Sequence, residues 1–490
     1  MSSQDLIRVF FALIFGIAMG WAVYARRDWT EGEGLENSRR QRYVPYLWGG
    51  LLPCFFLALV AMGLVFYGRQ MVVQVTAPLL YSVLLQISLY YLLLLPFLPL
   101  LRRYVSARAC AMLWMLPNYL YITQQSFLAR SRPGVVLSLP GRLVWELFWV
   151  WLVGALAFFL WKVIAHLRFR ARLLRGAREA LDPEVYRVWT QELAAANVRK
   201  PKFRLVISPN TATPLSVGLF QWSIRVVLPQ RPYTREELSL ILRHELVHIG
   251  RQDAWNKFFL LFCTALCWFN PLMWVASKKS AEDLELSCDE TVLLEADEGT
   301  RTRYARLLLD TAGDARGFTT CLSASASSLR YRLQRIVRPR RAMTGGVLLG
   351  LVFFGLCMSA GYVALAWGGG TGAEAIYQSQ DPQRCTLSAI ARTQGGDTTY
   401  LRCGDPQAFT SYLTRLPMEQ LMGNYTFDEE EESLSMNCST SEGIVYVTLW
   451  EHAARVATLA EAPRTTRYYH LPQATDWAYL DSLLVPEPAG

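Results

Sequence analysis

Two histidines four residues apart carry the most specific chemical signal in this sequence. His244 and His248 lie in the stretch ILRHELVHIGRQD (241–253), and Glu245 directly follows the first of them. Residues four apart on a helix share one face, so both imidazoles can bind a single ion. Glu245 is rotated by about 100° from His244, which places its carboxylate beside a water on the metal. The spacing predicts a zinc (Zn2+) site with Glu245 as the general base of peptide hydrolysis.

A catalytic zinc needs a third protein ligand and one open position. The stretch SAEDLELSCDETVLLEA (280–296) contains Glu285 and Asp289, one helical turn apart. Glu285 is therefore predicted to bind zinc from a second helix. Asp289 is predicted to accept a hydrogen bond from a ligating histidine and so to orient its ring. Cys288, next to Asp289, is interpreted as a packing residue.

The composition indicates an integral membrane protein. The chain has 490 residues, of which 52% are hydrophobic and 18% charged, with a mean hydropathy of +0.18. Several almost uncharged stretches reach about 20 residues, the length needed to cross a bilayer. The predicted spans are 5–25, 46–67, 75–101, 109–123 (shorter and weaker), 143–165 and 346–367.

The basic residues predict how these spans are oriented. Arginine is concentrated in four stretches that flank the spans: 26–42, 102–108, 166–178 and 330–341. Such stretches remain in the cytoplasm, and all four face the same side only if 109–123 crosses. The N-terminus and the loop 124–142 are then outside, residues 166–343 are cytoplasmic, and 369–490 are extracytoplasmic. The net charge of +9 reflects these arginines, and no direct nucleic-acid binding is expected.

These boundaries predict a mainly α membrane protein: a multi-span helical bundle with a cytoplasmic α+β domain and a small extracytoplasmic α+β domain. It consists of 1–70, an extra two-span hairpin; 71–165, the core transmembrane helices; 166–343, a cytoplasmic domain; 344–368, the last transmembrane helix; and 369–490, a small acidic α+β domain. Within the cytoplasmic domain, strands are predicted at FRLVIS (203–208) and IRVVLP (224–229), with a TPLSVG turn between them. Thr234 and Glu237 form a capping box that opens the HELVH helix, which ends near Gly250.

The segment 256–277 is apolar enough to be a further span, but we predict that it does not cross. If it crossed, Glu285 would lie on the opposite side of the membrane from His244. Instead, we expect that it dips into the membrane and returns, or that it packs on the membrane face, with the helix broken at Asn270-Pro271. The zinc site would then lie at the cytoplasmic membrane surface.

The stretches HELVHIGRQD, CWFNPLMWVASKKSAEDLELSCDETVL and SPNTATPLSVGLFQWSIRVVLP resemble the zinc metallopeptidases of the beta-lactam receptor (BlaR/MecR antirepressor) type. The resemblance is specific over about residues 205–295. It implies a gluzincin-like domain in which His244, His248 and Glu285 bind zinc and Glu245 is the catalytic base. It also implies that Asp253 and Asp289 lie behind the ligands. Members of this family signal by cleaving a cytoplasmic repressor, or themselves, when an outer domain detects its ligand.

The outer region departs from those receptors. Residues 369–490 carry 16 acidic and 7 basic side chains, and no lysine follows Lys279. An S-x-x-K serine is therefore impossible there, so a covalent beta-lactam sensor is not expected. The odd set of Cys385, Cys403 and Cys438 leaves the choice of a disulfide pair open.

The function predicted from the sequence is a membrane-embedded zinc endopeptidase that transduces a signal in response to an extracytoplasmic cue. Its substrate is expected to be a cytoplasmic regulator or the chain itself, with self-cleavage in the exposed run 330–341 as a hypothesis. Two alternatives remain open: a quality-control membrane protease without a sensor role, and a non-catalytic receptor braced by zinc. The predicted partners are the protein substrate and the lipid bilayer, and a homodimer is left open.

Overall fold

The structure is a computed structural model. It describes residues 3–30, 46–123, 132–140, 143–196, 198, 201–294, 296–311, 326–338, 343, 345–368, 370–377, 381–422, 425, 431–440, 443–458 and 465–486. The helices of the first part are α1 (Ser3–Thr30), α2 (Tyr46–Tyr104), α3 (Ala107–Leu113), α4 (Leu120–Thr123) and α5 (Leu143–Leu174). Strand β1 (Val135–Pro140) lies between α4 and α5. Helix α2 is kinked at Gly68, whose φ of 78° is not helical.

Two helical stretches among the described residues are long and apolar enough to cross a membrane. They are Leu80–Tyr104, the second part of α2, and Glu146–Leu174 in α5. Leu57–Phe66 and Gly346–Ser359 are apolar but shorter. The chain is thus rich in apolar helices, and the predicted number of spans goes beyond these two.

The prediction of one helical span at 109–123 is wrong. This segment is divided into α3, a 3₁₀ turn at Leu116–Tyr119 and α4. Pro117 causes the division, because it has no amide hydrogen and its ring blocks a regular helix. The segment is buried among the other helices, with Trp114 and Leu120 fully enclosed. Irregular backbone of this kind is tolerated at membrane depth where protein surrounds it.

The prediction of a last span at 344–368 is also wrong in its length. Helix α12 (Gly346–Ser359) has 14 residues, which is about 21 Å against the roughly 30 Å of a bilayer core. The chain then forms strand β6 (Val363–Gly368), which pairs in parallel with β1 from Val135↔Val363 to Pro140↔Gly368. In VALAWG, large apolar side chains alternate with small ones, a pattern that suits a strand. Pairing with the distant strand β1 therefore replaces the helix that the apolar run predicts.

The described residues that follow α2 and those that begin β1 are held at the two ends of α12. At one end Val105 bridges Met343, just before α12, and the Ser106 amide donates to the Met343 carbonyl at 3.0 Å. At the other end the Val135 amide donates to the Tyr362 carbonyl at 3.0 Å, just after α12. Val105 and Val135 therefore lie at opposite ends of α12.

Helix α1 packs along α12 in the opposite direction. A Cβ at Gly350 would lie 2.7 Å from the Gly16 carbonyl, and one at Gly20 would lie 3.0 Å from the Gly346 carbonyl. This is the close approach that small residues four apart permit between apolar helices. The buried Arg8 guanidinium donates to the Cys357 and Ala360 carbonyls at 3.1 and 2.7 Å. The first and last apolar helices thus form one unit.

We expect Gly350→Leu to destabilise this unit by about 1–3 kcal/mol, because the new side chain forces two backbones apart. The matched control is Gly355→Leu on the same helix, where an added Cβ meets nothing within 4 Å. Thermal unfolding of both variants in detergent is the measurement. Equal unfolding midpoints would contradict the close packing of α1 on α12.

Residues 166–343, the predicted cytoplasmic domain, contain a four-stranded sheet and six further helices among the described residues. The strands are β2 (Arg178–Glu179), β3 (Arg204–Ser208), β4 (Leu215–Val217) and β5 (Arg225–Pro229), in the order β2-β3-β5-β4. The helices are α6 (Pro183–Ala195), α7 (Arg235–Arg251), α8 (Asp253–Leu266), α9 (Pro271–Val292), α10 (Glu298–Thr311) and α11 (Ala326–Val337). The strands predicted at 203–208 and 224–229 are confirmed. The TPLSVG turn is wrong, because Leu215–Val217 pairs with β5 as an edge strand.

Helices α8 and α9 form a hairpin that inserts between α2 and α5. The turn lies at Asn270, whose side chain caps α9 by accepting from the Leu272 amide at 3.0 Å. The same side chain donates to Ser88 Oγ of α2 at 2.7 Å. On the other side, Trp151 Nε1 of α5 donates to the Leu266 carbonyl at 2.6 Å. The predicted break at Asn270-Pro271 is confirmed. Because the chain turns back there, Glu285 of α9 lies beside His244 and His248 of α7.

The C-terminal region is a sheet with helices α13 (Gly372–Ala375), α14 (Pro406–Arg415) and α15 (Trp477–Leu483). Its strands after β6 are β7 (Thr386–Gln394), β8 (Asp397–Cys403), β9 (Glu419–Met422), β10 (Ser433–Thr440), β11 (Gly443–Leu449), β12 (Ala453–Thr458), β13 (Thr465–His470) and β14 (Leu484–Pro486). The order is β1-β6-β9-β13-β12-β11-β10-β7-β8-β14. Cys385, Cys403 and Cys438 are free thiols in this region.

Candidate metal centre

Helix α7 places both histidines of the motif on one buried face. Its N-terminus carries the predicted capping box, in which Thr234 Oγ1 accepts from the Glu237 amide at 3.3 Å and Glu237 Oε2 accepts from the Thr234 amide at 2.9 Å. Leu246 and Val247 are buried in the domain core and fix the rotation of the helix. His244 and His248 are then 8% and 2% exposed, with their Nε2 atoms 3.1 Å apart.

Glu285 reaches the two histidines from α9. Its Oε2 lies 3.7 Å from His244 Nε2 and 3.6 Å from His248 Nε2. A tetrahedral zinc with bonds of about 2.0–2.1 Å sets its ligand atoms about 3.3 Å apart, so this triangle has the right size for one ion. Glu285 Oε2 is buried and has no hydrogen-bond partner among the described residues. An oxygen in that state fits a metal ligand.

Lys257 holds the other oxygen of this carboxylate. Lys257 lies on α8, and its Nζ is 3.1 Å from Glu285 Oε1. Burial alone would raise the pKa of Glu285, but Lys257 and the two histidines hold it well below its usual range. Glu285 is therefore an anion with one oxygen bound to a cation and the other directed at the histidines.

Asp253 lies behind His248. Helix α7 ends at Arg251, the cap residue Gln252 has a left-handed φ of 57°, and α8 begins directly after it at Asp253. This tight junction brings Asp253 Oδ2 to 2.6 Å from His248 Nδ1. Burial alone would raise the pKa of Asp253, but Arg251 and His248 lower it. An ionised Asp253 accepts a hydrogen bond from the Nδ1–H of His248. The Nε2 atom of the same ring then faces Glu285.

Asp289 reaches His244 through a tyrosine that the sequence analysis missed. Tyr304 of α10 donates its hydroxyl hydrogen to Asp289 Oδ1 at 2.8 Å, and its oxygen lies 2.8 Å from His244 Nδ1. The direct distance from His244 Nδ1 to Asp289 Oδ1 is 3.7 Å. Arg332 of α11 was also missed, and it donates to both Asp289 oxygens at 2.8 Å. No spacing rule links Tyr304 or Arg332 to the motif, because the fold alone brings them together.

The pKa values of both histidines reflect this anionic surrounding. Burial alone would lower the pKa of His244, but Cys288 and Glu285 raise it to about 10. For His248, burial is likewise outweighed, and Cys288, Glu285 and Asp253 raise its pKa well above the usual range. The pair of histidines therefore favours a positive charge at this point, held either as protons or as a metal ion.

Cys288 is closer to the site than a packing residue needs to be. Its Sγ lies 3.5 Å from His244 Nδ1, and His244, His248 and Cys288 form a group that could hold a metal ion. Burial raises the pKa of Cys288, but the two histidines lower it below its usual range. However, the nearest nitrogen, Nδ1, is the one that Tyr304 contacts at 2.8 Å. Glu285 Oε2, in contrast, faces the Nε2 atoms of both histidines.

Glu245 and a neighbouring cleft complete the site. Glu245 is 1% exposed, and its Oε2 has no hydrogen-bond partner among the described residues. A cleft of about 270 Å³ opens beside His248. Its walls include Ser216 of the edge strand β4 and the aromatic rings of Phe220, Trp222 and Trp255. An extended peptide could reach the histidines from this side.

The fold and this group of side chains define a metallopeptidase-like domain attached to apolar helices. Residues 122–336 match the family model described as BlaR1 peptidase M56. This match and the curated relatives support a BlaR/MecR-type family, so the resemblance found in the sequence is confirmed. The family implies a bound metal, and the described residues contain a group suited to one.

The similarity to curated proteins covers part of the chain. It is 30% identical over 144 residues to the regulatory protein BlaR1 of Bacillus licheniformis, which is 29% of this chain and 24% of that protein. It is 27% identical over 114 residues to the methicillin resistance mecR1 protein of Staphylococcus aureus, which is 22% of this chain and 19% of that protein. The Staphylococcus epidermidis mecR1 protein matches to the same extent. The chain thus aligns with about a quarter or less of the length of these relatives.

Proposed function

We propose that this chain is a membrane-embedded zinc endopeptidase with His244, His248 and Glu285 as zinc ligands and Glu245 as the catalytic base. The observation that carries the proposal is the convergence of two Nε2 atoms and one carboxylate oxygen within 3.1–3.7 Å of one another. Three protein ligands leave the fourth zinc position open, as hydrolysis requires, whereas a purely structural site fills it with protein.

Zinc held by these ligands would supply a Lewis acid that polarises the scissile carbonyl and acidifies the attacking water. The chain's own residues do the rest. Glu245 Oε2 accepts the proton of the attacking water and returns it to the departing amine. Asp253 and Tyr304 keep the proton of each histidine on Nδ1, which leaves both Nε2 lone pairs available.

The same geometry supports a site at the cytoplasmic membrane surface. Tyr104 and Val105, at the end of α2, lie beside Met343 and therefore near the Arg-rich stretches 102–108 and 330–341. Arginine in short loops marks the cytoplasmic side. The strand β1 and the C-terminal sheet lie at the other end of α12, so we assign both to the outside. The α8–α9 hairpin then enters the membrane from the cytoplasm and returns with Glu285.

The favoured substrate class is a cytoplasmic regulator, and the C-terminal sheet is the candidate sensor. Support comes from the names of the relatives, a regulatory protein and resistance proteins. Self-cleavage within 330–341 loses its main support, because residues 330–337 belong to α11 and Arg332 and Ile336 are buried. A protease needs an extended segment, so a site in this helix would first have to unfold.

We expect zinc affinity to rise with pH between about pH 6 and 8. Metal-free His244, with its pKa raised to about 10, is protonated in this range, and so is His248. Zinc requires neutral imidazoles, so binding releases protons and the apparent affinity rises by up to about 100-fold per pH unit for two protons. Competition with a chelator of known pH dependence at several pH values is the measurement.

The metal-free protein provides the control, because its stability should change in the opposite direction. The pKa of His244 is higher in the folded protein than in the unfolded chain, where it is about 6.5. Its protonation therefore stabilises the fold fully below about pH 6.5, and this contribution is lost as the pH rises through about 10. Metal-free protein should therefore lose stability from about pH 6.5 upward. A zinc affinity independent of pH would contradict the assignment of both histidines as ligands.

The proposal as a whole is tested by zinc content and cleavage in one membrane preparation of wild type and Glu245→Gln. About one zinc per chain in both, with cleavage in wild type alone, is the expected result. Equal cleavage by the two proteins would overturn the enzyme assignment.

A further inference from the structure

Arg332 is the side chain through which α11 reaches the metal-binding group. Its Nε and Nη2 donate to Asp289 Oδ2 and Oδ1, both at 2.8 Å, and its Nη1 lies 3.6 Å from Glu285 Oε2. The residue is 9% exposed. A two-pronged guanidinium–carboxylate pair fixes the plane of the carboxylate as well as its position. Arg332 therefore determines where Asp289 presents its oxygens.

The orientation of Asp289 is passed on to His244 by Tyr304. The Tyr304 hydroxyl donates to Asp289 Oδ1 at 2.8 Å, so its oxygen is left to accept from His244 Nδ1, also at 2.8 Å. The ring with hydrogen on Nδ1 has its free lone pair on Nε2, which faces His248 and Glu285. Hydrogen bonds of this kind behind a ligand set its tautomer and its direction.

Helix α11 lies in the chain between the metal-binding group and α12. Eight residues separate its end at Val337 from the start of α12 at Gly346, and β6 of the large sheet follows α12. Two further bonds hold α11 against its neighbours: Arg335 Nη2 to Glu290 Oε1 at 2.7 Å, and the Tyr331 hydroxyl to the Arg102 carbonyl at 3.3 Å. Helix α11 thus joins the peptidase-like domain to the helix that leads to the sheet.

We propose that Arg332 is a positioning residue that makes zinc binding depend on the docking of α11, and so connects α12 to the metal centre. The proposal rests on the zinc site of the proposed function. A displacement of α11 would withdraw the guanidinium from Asp289 and weaken the site. By thermodynamic reciprocity, zinc must in turn hold α11 in place.

The first experiment compares Arg332→Met with Arg330→Met in the full-length protein, with zinc affinity measured by chelator competition. Arg330 is the matched control, because it lies on the same helix and its side chain is exposed. We expect Arg332→Met to lose about 10–100-fold in zinc affinity, the usual effect of residues behind a ligand. Arg330→Met should stay within about twofold of wild type.

Arg332→Lys keeps the charge and serves if the methionine variant does not fold. A lysine offers a point charge without the planar fork, so we expect a loss of about 3–10-fold. A second comparison separates positioning from general stability. If Arg332 acts through Tyr304, the Tyr304→Phe/Arg332→Met double variant should bind zinc about as weakly as the weaker single variant. Additive losses would overturn the proposal.

Hydrogen exchange gives a readout that does not involve activity. Zinc should slow the amide exchange of residues 326–337 in wild type and leave it unchanged in Arg332→Met. Equal exchange with and without zinc in wild type would overturn the proposal, as would wild-type zinc affinity in Arg332→Met. Neither result touches the catalytic role of Glu245. Conversely, if Glu245→Gln cleaves as wild type does, the enzyme assignment fails while the zinc linkage of Arg332 can still hold.

Discussion

Glu245→Gln is expected to bind zinc as tightly as wild type and to lose cleavage by about 10²–10⁴-fold. General base catalysis contributes about that factor, and glutamine cannot accept the proton of the attacking water. Zinc should remain, because the atoms proposed to bind it belong to His244, His248 and Glu285, which lie within 3.1–3.7 Å of one another. The fold should tolerate the change, since Glu245 Oε2 has no hydrogen-bond partner among the described residues and glutamine has the same shape.

The matched control for this variant is Glu236→Gln on the same helix. Glu236 has an exposed side chain that forms an ion pair with Arg303 at 2.8 Å, and it is not among the residues proposed to bind zinc or to move the proton. Surface pairs of this kind contribute about 0–1 kcal/mol, so the control should keep full activity. Because the natural substrate is not identified, the readout is the set of new protein N-termini in cells that produce each variant. Fragments found with wild type and Glu236→Gln, and lost with Glu245→Gln, would identify the substrate.

A few distinct outcomes separate the functional alternatives. One or two fragments from a cytoplasmic regulator support a signalling protease, whereas many fragments from membrane proteins support a quality-control protease. No difference between Glu245→Gln and wild type, with zinc bound in both, supports a receptor that zinc merely braces. Glu245 argues against the last alternative. Its buried Oε2 has no hydrogen-bond partner among the described residues, which costs free energy, and a purely structural site needs no base.

The sequence predicted the metal-binding helices well, because short-range rules control them. The capping box at Thr234 and the break at Asn270-Pro271 are local, and both are as expected. The i, i+4 spacing of His244 and His248 likewise guarantees a shared face once the helix forms. The demand that Glu285 return to the histidines also predicted a hairpin where hydropathy alone predicted a span.

The errors arise where tertiary pairing overrides local pattern. Residues 363–367 continue an apolar run, but they pair with β1, a strand in a loop some 230 residues earlier in the chain. At 109–123, Pro117 and dense burial divide what hydropathy treats as one helix. Tyr304 and Arg332 lie outside any motif, and Arg332 was read as part of a basic loop at the membrane. Only the fold brings these two side chains to the histidines.

Glu285→Gln is expected to lower zinc affinity by at least about 100-fold, whereas Cys288→Ser should change it by less than about threefold. Residues behind a ligand already cost 10–100-fold when replaced, so a ligand should cost more. Glu285 Oε2 lies within 3.7 Å of both Nε2 atoms, whereas Cys288 Sγ lies 3.5 Å from His244 Nδ1. One ion cannot use both nitrogens of the same ring, so the two sets exclude each other at His244.

Cobalt in place of zinc distinguishes the two ligand sets directly. A thiolate ligand gives a charge-transfer band in the near ultraviolet, and a carboxylate does not, so the Glu285 set predicts that wild type lacks the band. Because Glu285→Gln leaves Lys257 without its anionic partner, the metal-free unfolding midpoint of each variant must be measured as well. If Cys288→Ser instead loses the metal and wild type shows the band, then Cys288 is the third ligand. Glu285 would in that case be an anion that holds Lys257 and Arg332 beside the site, and the α8–α9 hairpin would serve to deliver the thiolate.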